Sequence, residues 1–348
     1  MKFLLFIPLS ILTIFTSLSA QNGGRYSFAF LRQSPSARLT GLMQSQIALR
    51  DDDLAIAAAN PAMLNPLMHN GLSFNYNFLL AGIGNADVFY GRHSERLKTT
   101  FSIGFQNINY GKFKQTDEFG NVTGEFKASE IAATIGAARQ INERLSVGIN
   151  LKFISSQLES YKSNGIAADL AGAYVNAEKN FGATIVLKNV GAQLSTYNGT
   201  RDNLPTDVQI GFSKKLSRAP FRFSVVAHDL LRWNLRYDNP LENETSLLGD
   251  TPTAQSPFAL QIDNIFRHLN FGAELAFGKK ENFRIRAGYS HQTRREMNIL
   301  NVRSLAGFAF GFGFKVNRFR IDYGLNPQSV AGGTNHLSLS TNLSEFMR

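Results

Sequence analysis

The sequence predicts an all-β fold: a transmembrane up-and-down antiparallel β-barrel of about fourteen strands, preceded by an N-terminal segment seated in its lumen. Three observations predict it. Large apolar residues recur at every second position through most of the chain. The joints between these rows alternate between tight turns and long loops. The chain also opens with a secretory leader and has no cysteine, so outside the cytoplasm its stability has to come from the fold itself.

In chain order, MKFLLFIPLSILTIFTSLSA (1–20) has a basic start at Lys2, an apolar stretch from Phe3 to Phe15 and a small-residue end. That is a signal peptide, with cleavage expected after Ala20. Pro8 and Ser10 interrupt the apolar run, which is short for a membrane span. No later stretch has eighteen consecutive apolar residues, so no transmembrane helix is expected. Residues 21–70 alternate weakly. Asp51, Asp52 and Asp53 precede LAIAAA, and Asn60-Pro61 follows. Aspartates satisfy the free amides and dipole of a helix start, and the proline stops the helix, so one short helix is expected between about 53 and 60. Residues before the first strand can fold inside a barrel and close it.

Residues 71–348 form the expected barrel. Phe74, Tyr76 and Phe78 alternate with Ser73, Asn75 and Asn77. Leu145, Val147, Ile149, Leu151 and Phe153 alternate with Ser146, Gly148, Asn150 and Lys152. Phe308, Phe310, Phe312 and Phe314 alternate with glycine and alanine, and after a turn at Asn317-Arg318 the row resumes at Phe319, Ile321 and Tyr323. Strand starts are expected near 71, 85, 98, 127, 144, 165, 181, 206, 220, 267, 282, 304, 318 and 334. Tight turns are expected at RQINER, EKN, SRA, KKEN and VNR, and longer loops near 112–125, 192–205, 231–266 and 291–302. Short turns on one side and long loops on the other are the habit of outer-membrane barrels.

The apolar rows, which hold most of the chain's 29 phenylalanines, have to meet either a protein core or lipid. Soluble sandwich strands average nearer six residues, whereas most strands here suit a tilted crossing of about 9–11. An even strand count closes without an edge, which lipid demands. Arg284, Arg286, Lys315 and Arg320 all lie opposite the apolar row, where they avoid the roughly 2–4 kcal/mol that a basic residue costs at the midplane. An integral outer-membrane location follows. The chain has 36 basic and 26 acidic residues, a net charge of +10, but no basic run longer than Lys214-Lys215 or Arg294-Arg295. That spread suits an anionic membrane surface and not nucleic acid.

No GxSxG, Walker or HExxH motif is present, and the six histidines lack a second ligand at metal spacing, so neither an enzyme nor a cofactor or metal is expected. Gly311-Phe312-Gly313 lies within a strand row and is not a nucleotide loop. His228-Asp229 reads as a satisfied pair at a strand end. Segment 231–266 reads as an outer loop and holds the one tryptophan, Trp233, with Arg232, Arg236 and Tyr237. Such a group suits either an aromatic girdle at the headgroups or a partner surface.

DDDLAIAAANPAML (51–64) resembles the hatch of FadL-like outer-membrane barrels, where an Asn-Pro-Ala step ends a short helix before the first strand. Together with GGRYSFAFLRQSPSARLTGL (23–42) it resembles the PorQ-type proteins of the type IX secretion system, which group with PorV. The markers are Ser36, Ala37 and Arg38, Asp51 to Asp53, and Asn60, Pro61 and Ala62. After Gly41-Leu42 this chain has Met43-Gln44 where that family tends to carry glycines. The resemblance implies a non-enzymatic barrel working with PorU, PorV and a PorZ-like surface protein. That complex processes cargo and attaches it to lipopolysaccharide. The alternative is a FadL-type transporter of hydrophobic small molecules, for which the polar inward rows offer little.

Overall fold

The computed structural model describes residue 24 and residues 26–236, 256–278, 281–297, 302–330 and 332–347. The stretch expected as a leader (1–20) and residues 237–255, Tyr237 among them, fall outside them. Fourteen antiparallel strands close into one barrel, each paired with its chain neighbour and the first with the last. They are β1 (Gly71–Phe78), β2 (Gly84–Ser94), β3 (Thr99–Thr116), β4 (Val122–Gln140), β5 (Leu145–Leu158), β6 (Tyr161–Asn176) and β7 (Phe181–Ser195). Then follow β8 (Asp207–Lys215), β9 (Phe221–Ala227), β10 (Leu269–Phe277), β11 (Phe283–Ser290), β12 (Phe308–Val316), β13 (Phe319–Ser329) and β14 (Gly332–Asn342). The described residues also form α-helices: α1 (Ala37–Gly41) and α2 (Leu54–Ala59) before β1, α3 (Pro257–Arg267) between β9 and β10, and α4 (His291–Met297) between β11 and β12.

Burial in the wall is inverted relative to a soluble protein. Along β1, Ser73, Asn75 and Asn77 are buried while Phe74, Tyr76 and Phe78 are exposed. The same holds around the ring, as for Ile103 and Ile135, exposed partners across β3 and β4. A sheet that exposes its large apolar side chains and buries its amides and hydroxyls is built for hydrocarbon outside and a polar lumen inside. No helix among the described residues is long and apolar enough to cross a membrane. With its large apolar side chains turned outward, the closed barrel is integral to the outer membrane. Arg284 and Arg286 are buried on the inward row, and Lys315 and Arg320 share it.

The joints where tight turns were expected all fall at one end of the barrel, and β5–β6 and β13–β14 are joined as closely at the other. At Asn317, φ is 52°, the left-handed conformation that a two-residue hairpin requires and asparagine tolerates. Three expected loops differ in the structure, the one near 291–302 because α4 fills its first half. β3 and β4 pair as far as Thr116 and Val122, so the joint expected over 112–125 shrinks to 117–121. The Phe113 and Phe126 rings stack there at 5.2 Å, extending the hairpin beyond the rest of the wall. Segment 231–266 is not loop throughout: α3 occupies its end, with Ser256 as cap and Pro257 in the first turn, where proline's missing N–H costs nothing.

Candidate functional site

The buried apolar clusters lie between the segment that precedes β1 and the inward face of the wall. Phe28, Phe30 and Leu31 pack with Ile108, Ile154 and Leu204. Leu39, Ile47, Ile56 and Met63 pack with Ala173, Val186 and Val226. Leu54, Leu64 and Met68 pack with Phe89 and Ala138. Glycines on the inward rows make room. A Cβ on Gly148 would lie 2.4 Å from the Pro61 backbone, and one on Gly182 would lie 2.1 Å from the Ala48 carbonyl oxygen.

Local capping shapes the segment. Ser36 caps α1 by accepting from the Leu39 amide, and the Ala37 amide donates to Ser338 Oγ of β14 at 2.9 Å. Asp53 caps α2, accepting from the Ala55 amide at 3.0 Å. Asn60 ends α2 and begins a 3-10 turn at Pro61–Met63, accepting from the Ala62 amide at 3.0 Å. Its Nδ2 donates to the Ile47 carbonyl (2.6 Å) and to Thr184 Oγ1 of β7 (2.9 Å). Asn65 repeats the device, accepting from the Leu67 amide and donating to the Asp51 carbonyl. Each Asn-Pro step thus satisfies a turn's amides and ties the segment to its surroundings. Met43 (φ 50°) and Gln44 (φ 55°) both hold left-handed backbone, the conformation that glycine adopts most freely.

Arg38 is the centre of the site. It is fully buried and grips Glu274 of β10 with Nε and Nη2, at 3.1 and 3.0 Å. Its Nη1 donates to Asp51 at 2.7 Å and to Asp53 at 3.2 Å. Glu274 also accepts from Arg286 Nε (2.9 Å) and Arg222 Nη1 (2.8 Å), and Arg286 Nη1 reaches Asp322 of β13 at 2.6 Å. Asp52 pairs with Arg320 at 2.8 Å. The aspartate triplet is therefore more than a helix start: only Asp53 caps, while Asp51 and Asp52 bind arginines. Paired charges of both signs span the lumen from β9 to β13, and forked Arg–carboxylate contacts fix geometry as well as supplying energy. Glu274 was the residue that sequence reading missed. Its only local signal was a carboxylate on an inward row.

The other candidate group lies at the outer end. The Trp233 ring stacks on His268 at 5.3 Å, and its carbonyl accepts from Asn264 and from His268 Nε2. Arg236 approaches Asp263 of α3 at 3.7 Å. Arg232 stands beside them in the chain, its amide donating to the Asp229 carbonyl, and Tyr237 lies outside the described residues. This group is remote from Arg38, so the sequence-predicted residues form two sites. Between them lies a cavity of about 220 Å³ lined mainly by polar groups, among them Gln33, Thr40, Asn77, Gln209 and Asn326. At its edge Arg32 donates to both oxygens of Asp229 (2.9 and 2.7 Å), which also contacts His228 Nδ1 at 3.1 Å. Burial alone would raise the Asp229 carboxyl; His228 and Arg32 outweigh it and hold the group well below the usual carboxylate range. Among the described residues no group of side chains is arranged to hold a metal ion.

No protein-family model matches the sequence. No curated protein matches it either. Among solved structures, the chain is similar to the Pseudomonas putida toluene transporter TodX, at 12% identity and a TM-score of 0.51 over 88% of this chain and 96% of that one. It is similar to a Pseudomonas aeruginosa FadL homologue at 10% identity and a TM-score of 0.50, covering 89% of this chain and 98% of the other. At such identities the likeness is one of fold, and the fold is that of FadL-like barrels.

Proposed function

We propose that the chain is a non-enzymatic outer-membrane scaffold whose N-terminal segment acts as a fixed hatch, closing the lumen while the outer end holds a surface protein. The observation that carries this reading is the buried Arg38, held at once by Glu274 of the wall and by Asp51 and Asp53 of its own segment. A gate meant to open in each transport cycle would have to break these contacts together. The polar cavity above the segment also suits hydrated groups better than a hydrophobic solute.

The resemblance over 23–66 extends the reading to a docking component of a type IX secretion system. Its partners there are a PorZ-like surface protein, PorU, PorV and the lipopolysaccharide of the outer leaflet. Purification from outer membranes in mild detergent tests it: a stoichiometric surface protein and the absence of stable channels in planar bilayers are expected. A second reading, transport of hydrophobic small molecules, is favoured by the fold shared with the toluene transporter. Bound hydrocarbon or fatty acid, with no protein partner, would replace the first reading with the second.

A further inference from the structure

Helix α3 is amphipathic in the wrong sense for a helix packed on a protein. Asn264 and Arg267 are buried, whereas Phe258, Ile262, Ile265 and Phe266 are exposed along one edge at positions i, i+4, i+7 and i+8. The buried edge is held by polar contacts: Asn264 accepts from the Leu235 amide at 3.0 Å and donates to the Trp233 carbonyl at 2.6 Å. The apolar edge runs into the lipid-facing wall. Phe266 meets the ring of Phe271, an outward residue of β10, at 6.4 Å. Below that contact a dent of about 290 Å³ opens in the outer face, walled by Phe271, Tyr289 and Phe308. The small pair Ala273 and Ala287, partners across β10 and β11, forms part of its lining. On the other side of α3 the charge is positive. Arg267 (2.8 Å), His291 (2.9 Å) and Arg295 (3.0 Å) share the single carboxylate of Asp263, and Arg294 donates to backbone carbonyls.

We propose that α3 is an interfacial helix: its apolar edge lies in the outer leaflet, an acyl chain runs in the dent beneath it, and anionic lipid headgroups gather at the neighbouring arginines. The argument is continuity. An apolar edge that merges with a surface already bathed in hydrocarbon has the same solvent, and a basic flank at the headgroup level is how such helices hold anionic lipid. The proposal is independent of the scaffold reading, since a transporter would carry the same helix.

The test uses full-length protein refolded into vesicles, with the native tryptophan removed by Trp233→Phe and a reporter placed by Phe258→Trp. The control reporter is Phe119→Trp, at an exposed tip of the β3–β4 turn. Phosphatidylglycerol brominated on its acyl chains is expected to dim the Phe258→Trp reporter about twofold or more while leaving the control unchanged. Brominated phosphatidylcholine at the same fraction is expected to dim it less. Acrylamide quenching equal to that of the control, with no effect of bromine, would overturn the proposal and leave the apolar edge to a protein partner. Equal dimming by both lipids would overturn the anionic preference. Ile262→Trp serves as the reporter if the Phe258 variant does not assemble.

Discussion

Replacing Arg38 with methionine tests whether the charge cluster fastens the N-terminal segment to the wall. Methionine keeps the stem and deletes four hydrogen bonds, two to Glu274, one to Asp51 and one to Asp53. Glu274 keeps Arg286 and Arg222, so the wall stays nearly neutral. Asp51 and Asp53 lose the one cation that both contact in a crowded lumen. Removing one member of a buried ion pair costs about 3–5 kcal/mol, chiefly by stranding the charge left behind. Ordered water in a polar lumen should hold the cost near the lower end. At about 1.4 kcal/mol per decade, opening of the segment becomes roughly a hundred- to a few-thousand-fold more frequent. The strand ladders do not involve Arg38, so the barrel itself should assemble and migrate as a folded species. Amide hydrogen exchange resolves the two: residues 37–60 should exchange faster by that factor, while β3 to β6 stay protected. Unchanged exchange over 37–60 in a folded Arg38→Met barrel would refute the claim that these ion pairs hold the segment.

Three further outcomes follow from the same geometry. Gly148→Ala places a methyl group against the Pro61 backbone, a contact with no flexible partner to yield, so protease should cut within 55–66 in the variant and not in the parent. Ile103→Arg puts a cation on the lipid face of β3 and should lower the stability of the reconstituted barrel by about 2–4 kcal/mol in urea titrations; no loss would mean that this face is not in lipid. The depressed carboxyl of Asp229 contributes stability that is complete above the unfolded value of about 4 and is lost as pH falls through the lower folded value. Exchange at residues 27–34 should therefore be flat from pH 7 to about 5 once corrected for intrinsic rates, and rise only in stronger acid; Asp229→Asn should raise it throughout the flat range.

The wall was legible in the sequence because its two faces meet different solvents, so period two survives from Leu72 to Leu339 without a core to blur it. The strand starts expected at 71, 181 and 206 fall within a residue of β1, β7 and β8. The α2 helix was legible from its aspartate and proline ends. The pairing of Arg38 with Glu274 was not, because it joins residues 236 apart and neither flank records the partner. Nor was α3: its apolar edge faces outward, and a helix period read beside Pro252 and Pro257 looks like loop.

The same contrast bears on why the inward rows are so rich in small residues. Small side chains in a barrel of this size leave either an aqueous channel or space for something else. The contacts favour the second, because glycines fall where the N-terminal backbone touches the wall. Besides Gly148 and Gly182, a Cβ on Gly324 would lie 2.3 Å from the Ala37 carbonyl oxygen, and one on Gly288 would lie 2.5 Å from the Leu42 backbone. A channel would need only polar residues there, and serine or asparagine would serve. Glycine is required only where backbone must approach backbone. The glycine sites on β5, β7, β11 and β13 thus form a mould for residues 37–61, and Arg38 at its centre sets the register. Wall and segment therefore specify each other: deleting residues 26–70 should leave a barrel with an empty, glycine-lined lumen that conducts ions in planar bilayers, whereas a deletion variant that stays non-conducting would show that the wall closes without the segment.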